Sequence, residues 1–216
     1  MGRFKLMMKL YGFDTINTFK VLVFLLETKV EFKYFPINIR AGEQHGPKFL
    51  AINPAGKVPV LFDGKRHQTE SNSILLSLAQ KTGWGLLDDP NMHDQLVAWL
   101  FYQASTQGPH FGQVEHWSGF AKTPNPEALA RHRGVANQII KYVNDHLSHK
   151  EYLCGDAYSI ADIALFPWLN IYEHLGLSLD KAEHLTRWLG GIRNRPATVN
   201  ARAFFCGQSI SSRVRS

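Results

Sequence analysis

A proline at the start of an apolar run, Val58-Pro59-Val60-Leu61, is the short feature that most constrains this chain. Proline cannot donate to the hydrogen-bond ladder of a sheet, so it stands at the mouth or at the edge of a strand. The residue before it is held extended, and the bond between the two is one that a folded chain can keep in cis. The segment is therefore either a plain hairpin strand or a strand mouth where the backbone of Val58 pairs with a peptide-like ligand.

Glu70 and Ser71, which follow a short polar hairpin, favour the second alternative. Ser71 precedes apolar residues at helical spacing, Ile74, Leu75 and Leu78, which indicates that it caps a helix. Its hydroxyl and the free amides of the first turn form an anion site, while the carboxylate of Glu70 can hold an ammonium group. An extended edge, a carboxylate receptor and an ammonium receptor together match a small zwitterionic peptide such as glutathione.

The first part of the chain alternates strands and helices. The hydrophobic periodicity predicts strands at 8–12 and 32–37, helices from Asn17 and around 49–52, a hairpin turning at Asp63-Gly64, and a helix over 71–82. This order is βαβαββα, with a crossover between parallel strands and then an antiparallel hairpin. It predicts a thioredoxin-like domain over residues 1–84.

The rest of the chain contains helical patterns only. They cover about 93–116, 126–147, 160–174 and 182–193, and Ser159 and Asp162 have the spacing of a capping box. We therefore expect a linker at 85–91 and an all-helical bundle over 92–216. The predicted fold class is α/β plus all-α.

Composition and charge favour some classes of protein over others. Of the 216 residues, 44% are hydrophobic and 19% are charged, as in globular proteins, and no apolar run has the length of a membrane span. A lysine at position 9 interrupts the N-terminus too early for a secretory signal, so we expect a cytoplasmic protein with no membrane partner. The net charge of +6 comes from scattered residues without a nucleic-acid-binding motif, so no nucleic-acid partner is expected. The two cysteines form neither a disulfide framework nor a metal cluster, and we expect no metal.

Three motifs together resemble the cytosolic glutathione transferases over nearly the whole chain. They are Lys57-Val58-Pro59, Glu70-Ser71, and Tyr158-Ser159-Ile160-Ala161-Asp162 in the helical half. The segment 14–21 looks like the Thr-x-Asn active-site loop of the Nu class and its Ure2-like relatives, and the segment 107–116 is similar to the same group. The resemblance implies a thioredoxin-like domain followed by the helical-bundle domain of that superfamily.

The resemblance also implies that Thr15 and Asn17 are the catalytic residues. A free thiol has a pKa of about 8.5, so glutathione needs hydrogen bonds to its sulfur in order to react as a thiolate. Thr15 offers a hydroxyl, and Asn17 offers an amide at the start of a helix. The alternative is that Asn17 only caps the helix and that Thr15 fills the loop. Tyr11 could supply a phenol instead, but it lies within a strand, and we interpret it as a core residue.

Further site residues, the co-substrate and the partners are implied by the same resemblance. Members of this class bind two glutathiones, or one glutathione disulfide, per subunit and reduce disulfides, with weaker peroxidase and conjugating activity. We therefore expect a homodimer that uses glutathione as co-substrate and a small disulfide or electrophile as second substrate. The implied glutathione-binding residues are Gln44, Lys57, Val58, Pro59, Glu70 and Ser71, and the implied electrophile pocket is lined by Phe13, Phe111 and His116.

Two other functions remain open at the level of the sequence. One is a plain conjugating transferase that adds glutathione to organic electrophiles. The other is a non-catalytic module that uses the transferase fold for ligand binding or assembly, since one fold serves many functions. The presence of Thr15, Asn17, Glu70 and Ser71 favours an active site over a decayed one.

Overall fold

The computed structural model describes residues 7–87 and 89–206, and these form two compact units. Among the described residues, unit 1 contains 7–83 together with 196–206, and unit 2 contains 84–87 and 89–195. The sequence led us to expect one helical domain over 92–216. The last helix instead groups with unit 1, for a reason given below.

A four-stranded mixed sheet forms the centre of unit 1. Its strands are β1 (Met8–Gly12), β2 (Phe32–Pro36), β3 (Val60–Phe62) and β4 (His67–Gln68), in the order β2-β1-β3-β4. Strands β1 and β2 are parallel, and the other two pairs are antiparallel. This arrangement confirms the predicted thioredoxin-like domain.

Three helices join the strands of unit 1: α1 (Ile16–Glu27), α2 (Pro47–Leu50) and α3 (Ser71–Thr82). The element order is thus the predicted βαβαββα. Helix α1 buries a continuous apolar run from Val21 to Leu25, and α3 buries Ile74, Leu75 and Leu78. Burying each of these side chains contributes roughly 1.5–3 kcal/mol. The starts of α1 and α3 are therefore held firmly by the apolar faces behind them.

Helix α9 (Pro196–Cys206) packs against α1 and returns the chain to unit 1. Its aromatic residues explain why: the ring of Phe204 meets the ring of Tyr34 edge-on at 5.1 Å, and Phe205 lies 6.2 Å from the same ring. Tyr34 belongs to β2, so the last helix covers apolar surface that the sheet would otherwise expose.

Unit 2 is helical, as predicted. Its helices are α4 (Pro90–Tyr102), α5 (Gly108–Glu115), α6 (Pro126–His146), α7 (Ile160–Asn170) and α8 (Glu183–Arg193). The single helix expected over 93–116 is interrupted by π-helical turns at Gln103–Gln107 and His116–Phe120. The first turn leads into Pro109, which has no amide hydrogen to donate, so the regular helical ladder cannot continue through it.

The predicted capping box begins helix α7. The carboxylate of Asp162 accepts hydrogen bonds from the backbone and the hydroxyl of Ser159, from the Leu153 amide, and from the Trp188 indole, at 2.9 to 3.0 Å. A buried carboxylate is tolerated when it is hydrogen-bonded in this way. Separately, none of the helices among the described residues has the length and apolar character needed to span a membrane.

Candidate functional site

The hydroxyl of Thr15 caps helix α1. Its Oγ1 accepts a hydrogen bond from the Thr18 amide at 3.2 Å and lies 2.9 Å from the Thr18 hydroxyl, which in turn accepts from the Phe13 amide at 3.4 Å. The capping role that the alternative interpretation gave to Asn17 therefore belongs to Thr15. A side chain at Gly12 would come within 2.4 Å of the Thr18 methyl group, so this close arrangement needs a glycine there.

Tyr11 lies in β1 with its ring stacked on Phe35 at a centroid distance of 5.0 Å. The sequence predicted a core tyrosine, and the structure corrects this to a half-buried one on the sheet. The ring is also 6.0 Å from His67 of β4, so both of its observed ring contacts are to the sheet.

Helix α3 begins at Ser71 itself, which corrects the expectation that Ser71 precedes the helix as its cap. Glu70 occupies the capping position with φ 62° and ψ 111°, a conformation that is uncommon for residues other than glycine. Such outliers concentrate at functional sites because the surrounding structure must enforce them. The exposed Glu70 is one of three such residues in the described chain, with Lys29 and Lys181.

Hydrogen bonds join the starts of α1 and α3. The Ser71 hydroxyl donates to Oδ1 of Asn17 at 3.4 Å. The Lys20 ammonium donates to the Ser71 hydroxyl and to Oδ1 of Asn72, also at 3.4 Å. Asn17, predicted to be catalytic, and Ser71, predicted to bind glutathione, are thus in direct contact.

Lys20 is a site residue that the sequence analysis missed. Its side chain is 0% exposed, and burial lowers its pKa to about 7, although the nearby Glu70 carboxylate opposes the shift. The available signal was a lysine inside an apolar helical run, between Phe19 and Val21. A lysine at such a position is either half-exposed or paired inside the fold.

A second group of predicted residues is arranged by the turn around Gly56. This glycine has φ 61°, and a side chain on it would lie 3.0 Å from Nδ1 of His45 and 3.2 Å from the Gln44 carbonyl. The side chain of Asn53 fixes the same turn, because its amide donates to the Lys57 carbonyl at 2.8 Å and its oxygen accepts from the Ala55 amide. The backbone of Gln44 therefore lies against the turn that leads to Lys57.

The remaining residues predicted to bind glutathione lie close by in the chain. Lys57 is exposed, Val58 is half-buried and Pro59 is buried, with the Val58-Pro59 bond in cis as the sequence allowed. Oε1 of Gln44 is buried and has no hydrogen-bond partner among the described residues.

The three residues predicted for the electrophile pocket have different environments within their own units. Phe13 is buried in unit 1 with the Arg40 guanidinium 5.7 Å from its ring. Phe111 is fully buried in unit 2, where its ring is 6.3 Å from that of Trp168, whereas His116 is exposed beside Trp117. Aromatic residues at helical spacing pack into cores, which accounts for the burial of Phe111. The pocket itself stays a prediction.

The cysteine side chains lie outside this group of residues. Cys154 is buried in unit 2, and burial raises the pKa of its thiol to about 12. Cys206 is exposed at the end of α9. Neither residue belongs to the start of α1, where the sequence places the thiolate site, so we expect the reacting thiol to come from a ligand. Residues 7–87 and 89–206 contain no group of three or more side chains that could hold a metal ion.

Comparison with known families agrees with this architecture. Residues 6–80 match the family described as "Glutathione S-transferase, N-terminal domain", and residues 96–196 match "Glutathione S-transferase, C-terminal domain". The chain belongs to the glutathione S-transferase family.

Individual relatives align with the chain over most of both sequences. The disulfide-bond oxidoreductase YfcG of Escherichia coli K12 is 33% identical over 202 residues, which cover 90% of this chain and 94% of YfcG. A glutathione transferase family member from Pseudomonas fluorescens pf-5, solved with two glutathione molecules bound, has a TM-score of 0.84 at 29% identity and 93% and 94% coverage. A glutathione transferase from Pseudomonas putida, solved with one glutathione disulfide per subunit, has a TM-score of 0.84 at 27% identity and 93% and 92% coverage.

Proposed function

We propose that this protein is a glutathione-dependent disulfide reductase of the Nu class and its Ure2-like group. The observation that carries the proposal is the hydrogen bond between Asn17 and Ser71, which joins the predicted thiolate site to the predicted γ-glutamyl site. The similarity of the chain to a bacterial disulfide-bond oxidoreductase supports disulfide reduction as the reaction.

In this proposal the turn around Gly56 and the start of α3 hold the two ends of glutathione. The γ-glutamyl carboxylate binds the Ser71 hydroxyl and the first amides of α3, and the γ-glutamyl ammonium binds Glu70. Lys57 and the amide of Gln44 bind the glycine carboxylate. The backbone of Val58, next to Pro59, pairs with the cysteine residue of the ligand, as in the addition of a strand.

Thr15 and Asn17 then stabilise the thiolate. Nδ2 of Asn17 has no hydrogen-bond partner among the described residues, so it is available to donate to the ligand sulfur. Oδ1 of Asn17 accepts from the Ser71 hydroxyl in the free protein, and in the complex the single Ser71 proton turns to the ligand carboxylate. When the Thr18 hydroxyl donates to the Thr15 hydroxyl, the Thr15 hydroxyl can donate its own proton to the ligand sulfur. Each unit by which these donors lower the thiol pKa corresponds to about 1.4 kcal/mol.

The reaction proceeds by two thiol–disulfide exchanges. The bound thiolate attacks one sulfur of the substrate disulfide, which forms a mixed disulfide and releases the other sulfur as a thiolate that takes up a proton. A second glutathione thiolate then attacks the glutathione sulfur of the mixed disulfide. The products are glutathione disulfide and two substrate thiols. The structure from Pseudomonas fluorescens with two glutathiones and that from Pseudomonas putida with the disulfide support a site of this capacity.

The family resemblance further supports a homodimer. A reaction that consumes reduced glutathione also fits a cytoplasmic location, because the cytosol keeps its thiols reduced. Peroxidase activity would use the same thiolate, with a hydroperoxide as the oxidant.

Reduction of a small dialkyl disulfide, coupled through glutathione reductase to nicotinamide oxidation, tests the proposal. We expect turnover by the native protein and a loss of about 10²-fold in kcat/KM for Asn17→Ala. A loss of this size is typical when one hydrogen-bond donor to a reacting anion, here the glutathione thiolate, is removed. Glutathione binding without disulfide turnover, but with conjugation of an aromatic electrophile, would replace the reductase by a conjugating transferase. Binding with neither activity would leave a ligand-binding module.

A further inference from the structure

We propose that Lys20 is a positioning residue that makes the site selective for the γ-glutamyl carboxylate of its ligand. The proposal rests on the function proposed above and assigns a role that the sequence did not suggest. It starts from the placement of the ammonium group, which is fully buried and contacts the first two residues of α3, Ser71 and Asn72.

The apolar packing along α1 does not itself require a lysine at this position. Its neighbours along α1, Val21 and Phe24, are fully buried apolar residues, and a methionine of similar volume would suit the same environment. Burying an ammonium is expensive, and replacing a buried ionic group by a well-packed apolar one is often neutral or stabilising. A fully buried lysine beside a candidate anion site therefore points to a role in binding.

The contacts of Lys20 indicate what that role is. A carboxylate at the first turn of α3 meets the Ser71 hydroxyl and helix amides, whose partial positive charge falls off within one turn. The Lys20 ammonium lies directly behind these groups, 3.4 Å from the Ser71 oxygen, and adds a full charge where water is excluded. The ligand carboxylate thus interacts with Lys20 through Ser71 rather than by direct contact.

The same lysine also orders the catalytic asparagine. Asn17 and Lys20 are three positions apart on α1, so they share a face of the helix, and both bind the Ser71 hydroxyl. In the free protein, Lys20 holds the Ser71 oxygen as an acceptor, so the Ser71 proton points to Oδ1 of Asn17 and the Asn17 amide keeps one orientation. Loss of Lys20 should therefore act mainly on glutathione affinity and KM, and less on kcat at saturating glutathione.

Proton linkage gives a test on the native protein. The pKa of Lys20 is about 7 because of burial, while Glu70 favours the ammonium. Other cations on the elements around α1 are Lys9 of β1, which lies over the Phe62 ring, Lys81 at the end of α3, which pairs with Asp63, and Arg202 of α9. A bound carboxylate stabilises the ammonium, so Lys20 must take up a proton on binding whenever it is neutral beforehand.

Calorimetric titration with S-methylglutathione at pH 7.5, in buffers of different ionisation enthalpy, measures that proton without interference from a thiol. We expect an uptake of up to roughly three-quarters of a proton, since a group with a pKa of about 7 is mostly neutral there. The control ligand carries 4-aminobutyryl in place of γ-glutamyl, so it keeps the amine and lacks the carboxylate. It should cause almost no uptake. Equal uptake with both ligands, or none with either, would overturn the proposal.

The variant Lys20→Met tests the selectivity directly. We expect its Kd for S-methylglutathione to rise at least tenfold, on the order measured for the loss of one charge pair. Its Kd for the 4-aminobutyryl analogue should change less than twofold. Lys20→Gln, which keeps a hydrogen-bond donor but not the charge, should resemble Lys20→Met.

Each outcome of the variant experiment is decisive. If the substitution weakens both ligands equally, or neither, Lys20 is a structural residue and the proposal is wrong. If Lys20→Met does not fold, as judged by thermal unfolding, the proton measurement on the native protein decides. If the native protein binds no S-methylglutathione, the proposed function fails first and the role of Lys20 fails with it.

Discussion

At the scale of single residues, the candidate site consists of side chains that already bind one another. Thr15 is held by Thr18, and Asn17 by Ser71. Donors that are fixed before the ligand arrives stabilise an anion without the cost of reorganisation. Two residues that do not belong to the predicted set, Lys20 and Thr18, provide much of this preorganisation, and both can be tested individually.

Lys20 makes the stability of the protein depend on pH. Its pKa is about 7 in the folded protein and 10.5 in the unfolded chain, so the unfolded chain binds more protons between these values. The free energy of unfolding must therefore rise with pH through that interval. Below pH 7 it is lowered by the full cost of burying the charged Lys20 ammonium, on the order of 4–5 kcal/mol. We expect Lys20→Met to be more stable than the native protein at pH 6.5 and to lose that advantage towards pH 10.

Chemical unfolding at several pH values, with the difference between the two proteins plotted against pH, measures this contribution. A difference that stays constant between pH 6.5 and pH 10 would show that Lys20 is not a buried titrating group. The same comparison bears on function, because a lysine that costs stability and is nevertheless present fits the usual exchange of stability for activity.

Thr18 is expected to act on the thiolate through Thr15. Its hydroxyl lies between the Phe13 amide and the Thr15 hydroxyl, and such chains of hydrogen bonds polarise one another. Thr18→Val keeps the shape and removes the hydroxyl, so we expect the pKa of bound glutathione to rise by about half a unit to one unit. The ultraviolet absorbance of the thiolate measures this pKa. Thr18→Ser should resemble the native protein, and an unchanged pKa in Thr18→Val would exclude the relay.

At the scale of elements, the site depends on where two helices start and on one tight turn. The apolar faces of α1 and α3 were evident in the sequence because their spacing is helical, and the positions of the strands along the chain followed from the short alternating runs between them. The bounds of α3 were predicted correctly, but its cap was assigned to Ser71, whereas Glu70 occupies that position with a positive φ that only tertiary contacts enforce. The π-helical turns around α5 also depend on local hydrogen bonding that periodicity does not encode.

The turn around Gly56 offers a test at this scale. Gly56→Ala forces a side chain into a positive φ, at about 1 kcal/mol, and against the backbone of Gln44 as well. Gly42→Ala is the matched control, because Gly42 also has a positive φ but no atom within 4 Å of the added carbon. We expect Gly56→Ala to lose more thermal stability than Gly42→Ala, and a several-fold rise in the KM for glutathione only in Gly56→Ala. Equal KM values in the two variants would remove this turn from the glutathione site.

At the scale of the whole molecule, the division into a mixed α/β part and a helical part was predictable, because strand patterns stop after the first half of the chain. The return of α9 to unit 1 was not, since its aromatic residues could have covered any apolar surface. The predicted site residues of unit 1 lie on connected turns and helix starts. Lys20 could not be recognised, because burial of a charge is a property of the fold and not of the local sequence.

The central claim is that this molecule binds glutathione as a thiolate under the control of Asn17. The most direct measurement is the pH titration of the thiolate absorbance of glutathione bound to the native protein and to Asn17→Ala. We expect a thiol pKa at least about one unit below the ordinary value of about 8.5 in the native complex, and a return towards that value in the variant. A bound thiol that titrates near 8.5 in both proteins would contradict it.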